Sequence, residues 1–307
     1  LVRTTVHEHS VHFQGSHVKR VQTSSLARVG ETACYRAKVI TVFSSLFLGF
    51  FHQHGTQQQF GNYGLAFLAS MSFYSGVFAG TSMAFSDEQL EILRQLIDKG
   101  YRWILWKGQM DISALGRQFF REGQTHKGLS TAFAATELGG GMSESCNNTA
   151  RALCNENFQL HSRNDLIGNK HFFCSNYTVH RRPTWMATVK MASNKVIGTE
   201  TLNGDNMKGF YSADGATYVY TDGHEYLDIF PLWDWRKLPG VTAFESDAPI
   251  PVVKGNRPRN NADFVGGLSD GQQGMTVMDL NRAGLQGRKA AQGKFSVDAP
   301  TPNPNIL

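Results

Sequence analysis

The hydrophobic pattern of this chain changes its period once, near residue 165, and that switch restricts the fold more than any other feature. Before it, from about Phe51 to Leu153, the pattern is helical. The clearest helix is expected over Asp87 to about Lys99. Ser86 stands at its N-cap, Gln89 completes a capping box, and Leu90, Leu93, Leu96 and Ile97 share one face. Gly100 stands where a C′ glycine is expected. The preceding stretch, Tyr63 to Met83, is rich in Gly, Ala, Phe and Ser, which suits closely packed helices. From about His171 the texture is that of strands. Thr184 to Met191 has strand composition. Asp214-Gly215 and Asp222-Gly223 read as hairpin turns around the run Ala216 to Thr221, and Asn203-Gly204 is another turn candidate. Helices come first and strands second, without βαβ alternation. The expectation is an α+β multidomain chain: an α domain over residues 51–165, a β-sandwich-like domain over 166–290, and atypical segments at 1–50 and 291–307.

Charge narrows the partners. A net charge of +5 points to a polyanion. No run of five or more Lys/Arg occurs, so nucleic acid is not expected. The longest apolar run, Val39 to Phe51, is 13 residues and includes Thr41, Ser44 and Ser45. A bilayer span needs about 20 residues, so the run reads as a buried segment and no membrane partner is expected. The chain starts at Leu1 with no basic segment leading into an apolar core, and it reads as a piece of something longer. Cys34, Cys146, Cys154 and Cys174 form no C-x-x-C pair, which argues against a zinc ribbon or redox motif. His7, His9 and His12 form H-x-H-x-x-H but lack a fourth ligand of clear spacing, so no metal site is expected. Asn147-Asn-Thr149 and Asn176-Tyr-Thr178 are formal sequons.

Four groups of residues could carry chemistry. His54 and Tyr63 lie nine residues apart in a glycine-rich stretch that lets the chain turn between them. Imidazole suits proton transfer near neutral pH, and a phenol can deliver a proton to a leaving oxygen. The same pair also reads as a hydrogen-bonded histidine beside a half-buried tyrosine. Arg117 and Arg121 share a face if Gly116 to Gly123 is helical, and an anion between two guanidiniums is their natural complement. A solvated face with Arg121 paired to Glu122 is the alternative. Glu200 and Asn203 sit beside the Asn203-Gly204 turn, where an acid could orient arginines or simply belong to a turn. Trp233 and Trp235, in Phe230-Pro-Leu-Trp-Asp-Trp, could stack on sugar rings or fill a core.

Taken together, FHQHGTQQQFGNYG (51–64), GRQFFR (116–121), ETLNGDNMKGFY (200–211) and IFPLWDWRKLPGVT (229–242) resemble polysaccharide lyase family 8, the family of chondroitin AC, hyaluronate and xanthan lyases. The resemblance covers roughly residues 51–290. It implies an incomplete α/α toroid followed by an antiparallel β-sandwich, or supersandwich, domain. It also implies that His54 and Tyr63 are the catalytic His and Tyr, Arg117 and Arg121 the arginine pair of the cleft, and Glu200 the acid that orients the site. Asn203 is implied as that acid's polar neighbour, with Trp233 and Trp235 as substrate-binding aromatics. The family's catalytic Asn lies upstream of the His, and residues 1–50, which do not share the resemblance, offer no position for it.

The implied reaction is β-elimination at a uronic acid of a glycosaminoglycan such as chondroitin or hyaluronan. The C5 proton leaves, the C4–O bond breaks, and a 4,5-unsaturated uronate remains. Either His54 is the base and Tyr63 the acid, or Tyr63 does both while His54 assists; the resemblance implies the second for glucuronic acid. It implies no cofactor and no metal, an acidic polysaccharide as partner, a monomer, and a secreted or periplasmic location. The alternative is an inactive or carbohydrate-binding fragment of such a lyase. A glycoside hydrolase would need two opposed carboxylates, which this constellation does not supply.

Overall fold

The computed structural model describes residues 49–139, 166–242, 247–252, 264–280 and, for the backbone, 290–295. The chain divides into two compact units, 1–162 and 163–307. The triad of histidines at 7, 9 and 12, three of the four cysteines (34, 146 and 154) and the sequon at Asn147 lie outside the described residues. Cys174 is a free, exposed thiol. Asn176 is buried, and its side-chain amide donates to Ser193 Oγ at 3.0 Å, so the second sequon is structural. Among the described residues no helix is long and apolar enough to cross a membrane.

In the first unit the chain enters helix α1 (Leu65–Phe78) through a π-helical turn, Phe60–Gly64. Helix α2 (Asp87–Leu96) starts on the expected capping box: Ser86 Oγ accepts from Gln89 N at 3.4 Å, and Gln89 Oε1 accepts from Ser86 N at 2.9 Å. It does not stop at Gly100. A π-helical turn, Ile97–Tyr101, and a further turn, Arg102–Ile104, continue it, because Tyr101 and Ile104 are apolar anchors with no exposed surface. Gly100 is needed for close approach instead: a Cβ there would lie 3.0 Å from Gly49 O and 3.1 Å from Phe60 Cε1.

Two short strands, β1 (Leu105–Trp106) and β2 (Gln109–Met110), pair antiparallel and lead through a loop into helix α3 (Gly123–Gly139), which packs on α1. The start of α3 is tied to that hairpin. Gln124 Nε2 donates to Met110 O at 3.1 Å, and Thr125 Oγ1 to Gln109 Oε1 at 2.7 Å. Trp106, Met110, Leu115 and Leu68 are fully buried around this junction.

The second unit is two antiparallel sheets. One runs β3 (Gly168–Phe172), β4 (Tyr177–Arg182), β5 (Trp185–Met191), β6 (Asp214–Tyr220) in that order. The other runs β7 (Val265–Ser269), β8 (Gly274–Leu280), β9 (Ala290–Phe295). Met191 and Val189 of the first sheet pack with Met278, Leu280 and Val265 of the second, giving the expected sandwich. The Asp214-Gly215 pair is not a hairpin turn. Met191 pairs with Asp214 and Lys190 with Ala216, so Gly215, at φ 82°, is the extra residue of a bulge.

A polar seam also joins the sheets. Thr276 Oγ1 donates to Thr178 Oγ1 at 3.0 Å, and the Thr178 hydroxyl meets His171 Nδ1 at 2.7 Å. Burial pushes the His171 imidazole down to about 4. A folded value below the usual 6.5 means that the unfolded chain binds more protons between pH 4 and 6.5. Stability is therefore full above pH 6.5 and falls as pH drops toward 4. The loss between pH 6.5 and 5 is expected to be roughly 1–2 kcal/mol. Thermal melts at these two pH values check this, and a His171→Asn protein should lose the pH dependence; an unchanged dependence in that variant would refute the assignment.

Candidate active site

The segment 51–64 folds back on itself before the π-helical turn. Gln59 N donates to Phe51 O at 3.0 Å, Gln53 N to Gln57 O at 3.1 Å and Gln57 N to Gly55 O at 2.8 Å. Gln53, Gln57, Gln58 and Gln59 are buried, so the loop is held by these backbone bonds and by packing of its glutamine side chains. At its tip His54 holds φ 62°, a left-handed conformation that a non-glycine residue adopts only when its surroundings impose it. The result is a half-buried imidazole set edge-on to the Tyr63 ring, with centroids 5.0 Å apart and planes at 72°.

Tyr63 itself rides on the π-helical turn. That turn can approach the 112–115 backbone because residue 61 is glycine: a Cβ there would lie 2.8 Å from both Ala114 O and Leu115 Cα. On the other side, the Tyr101 phenol donates to Phe60 O at 3.0 Å; burial raises its pKa well above 10, so it stays a neutral donor.

The loop after Leu115 supplies the arginines, and the condition for their sharing a helix face is not met. Residues 116–122 are not helical. Gly116 has φ 74° and Glu122 φ 61°, and these two left-handed residues bound a stretch too short to form a helix between them. Arg117 and Arg121 therefore do not occupy one helix face. Arg117 is buried at 6% exposure, whereas Arg121 is exposed. Both Nη atoms of Arg117 donate to the Tyr63 hydroxyl oxygen, at 3.3 and 3.4 Å, and its Cζ lies 5.4 Å from the Tyr63 ring centroid. The structure thus brings His54, Tyr63 and Arg117 together. The phenol oxygen accepts two charge-assisted hydrogen bonds from one guanidinium.

Lys127 belongs to none of the four sequence groups but joins the site in space. It lies on α3, 5% exposed. Its Nζ donates to Gln118 Oε1 at 2.6 Å and to the backbone carbonyl of Gly61, and sits 5.7 Å from the Phe120 ring centroid. Burial pushes this lysine down to about 8. The available signal was its spacing: Gln124, Lys127, Thr131 and Leu138 form the buried stripe of α3, and a lysine on such a stripe is unusual.

In the second unit, Glu200 has no exposed surface. Asn206, at φ 60°, donates from Nδ2 to Glu200 O at 2.9 Å and to Thr199 Oγ1 at 2.5 Å, which fixes the backbone at Glu200. Asn203 and Gly204, at φ 58° and 81°, are the exposed corner of the expected turn, closed by Asp205 N to Leu202 O at 2.9 Å. Trp233 is half-buried and stacks on Tyr218, with centroids 5.8 Å apart and planes at 14°. Trp235 is buried behind it, edge-on at 5.3 Å, and its indole N–H donates to Phe230 O at 3.1 Å.

Comparison with known proteins places these elements. Residues 48–155 match the N terminal alpha-helical domain of polysaccharide lyase family 8, and residues 167–292 match that family's super-sandwich domain. A chondroitinase-AC of Pedobacter heparinus is 29% identical over 243 residues, which cover 78% of this chain and 34% of the relative. A hyaluronate lyase of Thermasporomyces composti is 25% identical over 285 residues, covering 79% and 36%. The chain thus spans about a third of the length of these relatives. A chondroitinase AC lyase solved with oligosaccharides shares the fold, with a TM-score of 0.72 at 22% identity over 92% of this chain and 43% of its own. So does the Streptomyces coelicolor chondroitin AC lyase in complex with chondroitin sulphate, with a TM-score of 0.69 at 20% identity over 86% and 42%. With a helical domain and a super-sandwich domain of one family matched in order along most of its length, this chain belongs to polysaccharide lyase family 8.

Proposed function

We propose that this chain carries the elimination site of a lyase that cleaves uronic-acid-containing glycosaminoglycans of the chondroitin and hyaluronan type. The observation that carries this reading is the Arg117 guanidinium on the Tyr63 phenol oxygen, beside the His54 ring. The named relatives, a chondroitinase-AC and a hyaluronate lyase, support the substrate class.

In the reaction, the ionised Tyr63 oxygen takes H5 of the uronate. The electron pair of the C5–H bond becomes the C4=C5 double bond, and the C4–O bond breaks toward the bridging oxygen. Tyr63 then returns its proton to that oxygen, so the enzyme ends as it began. Arg117 keeps both Nη donors on that oxygen and so stabilises the negative charge that passes through it in the transition state; preorganised donors of this kind contribute several kcal/mol. His54 assists from the edge of the ring. The alternative assignment, with His54 as base and Tyr63 as acid, leaves the donors on the phenol oxygen without a role in the first step, and we prefer the first for that reason. Arg121, exposed on the same loop, meets the polymer's anionic groups. Glu200 and Asn203 are assigned to the site by the 200–211 motif. Trp233 offers the sugar-facing ring, with Trp235 as its support. Polymers of this kind lie outside the cell, so the proposed location is secreted or periplasmic, with the chain acting as a monomer.

The test is formation of UV-absorbing unsaturated product when the chain is incubated with chondroitin or hyaluronan. Product from either polymer, and none from a polysaccharide without uronic acid, is the expected result. Binding without product would reject the lyase reading in favour of a carbohydrate-binding piece.

A further inference from the structure

We propose that Lys127 is a positioning residue that sets the reach between Arg117 and the Tyr63 phenol. Three segments meet at its ammonium. Gly61 belongs to the π-helical turn that carries Tyr63. Gln118 is the neighbour of Arg117 in the irregular loop. Lys127 itself stands on the 17-residue helix α3, whose first turn is fastened to the β1–β2 hairpin.

The loop needs such a tie. Its near end is fixed where Gly61 packs on Ala114 and Leu115 and its far end runs into α3 at Gly123, while residues 117–121 between them belong to no regular element. The Arg117 donors reach the phenol oxygen at 3.3 and 3.4 Å, the long end of the hydrogen-bond range, so a slip of a few tenths of an ångström removes the contact. One ammonium bonded to both segments keeps them in register.

The chemistry of the residue supports a functional reading. The two bonds of the Lys127 ammonium among the described residues go to neutral groups, a backbone carbonyl and a side-chain amide, and burying a cation among neutral groups costs the fold stability. The burial that depresses its pKa shows that cost. A methionine of similar length would fill the same space without it, so packing alone does not call for a lysine here.

The kinetic half of the test rests on the lyase reading; the other half does not. Lys127→Met is compared with the unaltered chain in two measurements. In elimination assays, kcat is expected to fall about 10²-fold, the scale of a small misplacement of reacting groups, with KM changed by less than about threefold. In hydrogen exchange on the free protein, residues 60–64 and 116–121 are expected to exchange faster while α2 is unchanged. If Lys127→Met does not fold, Lys127→Gln, which keeps one donor, is read the same way. Wild-type kcat in the variant, or unchanged exchange in the two segments, overturns the proposal. A chain that makes no product, yet exchanges faster at both segments in the variant, rejects the lyase reading and upholds the tie.

Discussion

Replacing Tyr63 with phenylalanine is expected to abolish elimination while leaving the fold in place. Only the hydroxyl is removed. The ring remains, and with it the edge contact to His54 at 5.0 Å and the guanidinium 5.4 Å from its centroid. Losing hydrogen bonds to the buried Arg117 guanidinium costs about 1.5–3 kcal/mol, so the melting temperature should fall by several degrees while the protein stays folded. The chemistry should respond far more. One positioned proton transfer contributes about 10²–10⁴-fold, and Tyr63 is assigned both the removal of H5 and the return of the proton to the leaving oxygen. Loss of product formation at the upper end of that range, read as unsaturated uronate from chondroitin or hyaluronan, is therefore the expected result. Substantial remaining turnover in a folded Tyr63→Phe protein would sink the assignment. A loss of only about 10²-fold would instead point to His54 as the base, with Tyr63 left as the acid alone.

How much of this site could be read from the sequence depends on what each residue needs. The capping box at Ser86 and Gln89 and the corner at Asn203-Gly204 are local arrangements, set by a few neighbouring residues, and both form as expected. The helix-then-strand order was legible for the same reason, since hydrophobic period is a local property. Arg117 and Arg121 would share a face only if their segment were helical, and their i, i+4 spacing alone cannot tell whether it is. The glycine at each end of that stretch argues against a helix, and Gly116 does adopt the left-handed conformation that ends such a run. The bond from the Lys127 ammonium to the Gly61 carbonyl joins two residues far apart in sequence, and no window of helical or strand length contains both. Trp233 and Trp235 illustrate the same limit. Two residues apart in one aromatic run, they differ because the indole N–H of one turns inward to Phe230 O.

Replacing Arg117 with methionine should lower kcat by about 10²–10³-fold, the effect of removing one preorganised donor to a developing charge. The residue is 6% exposed, so its charge acts through little intervening water, and both Nη atoms face the oxygen whose charge changes during the reaction. Methionine fills the slot without charge or donors. Lysine keeps the charge but not the planar fork, and Arg117→Lys is expected to recover only part of the loss. Arg121 supplies the contrast. It lies five positions into the same loop but is exposed, so its field is screened by salt and its contribution falls on encounter with the polymer. Arg121→Met should therefore raise KM and weaken the dependence of KM on ionic strength, with kcat changed much less than in Arg117→Met. Steady-state kinetics of the two variants at low and high salt separates the roles. Equal losses of kcat in both, or a kcat unaffected by Arg117→Met, would show that the buried guanidinium is not what holds Tyr63 ready.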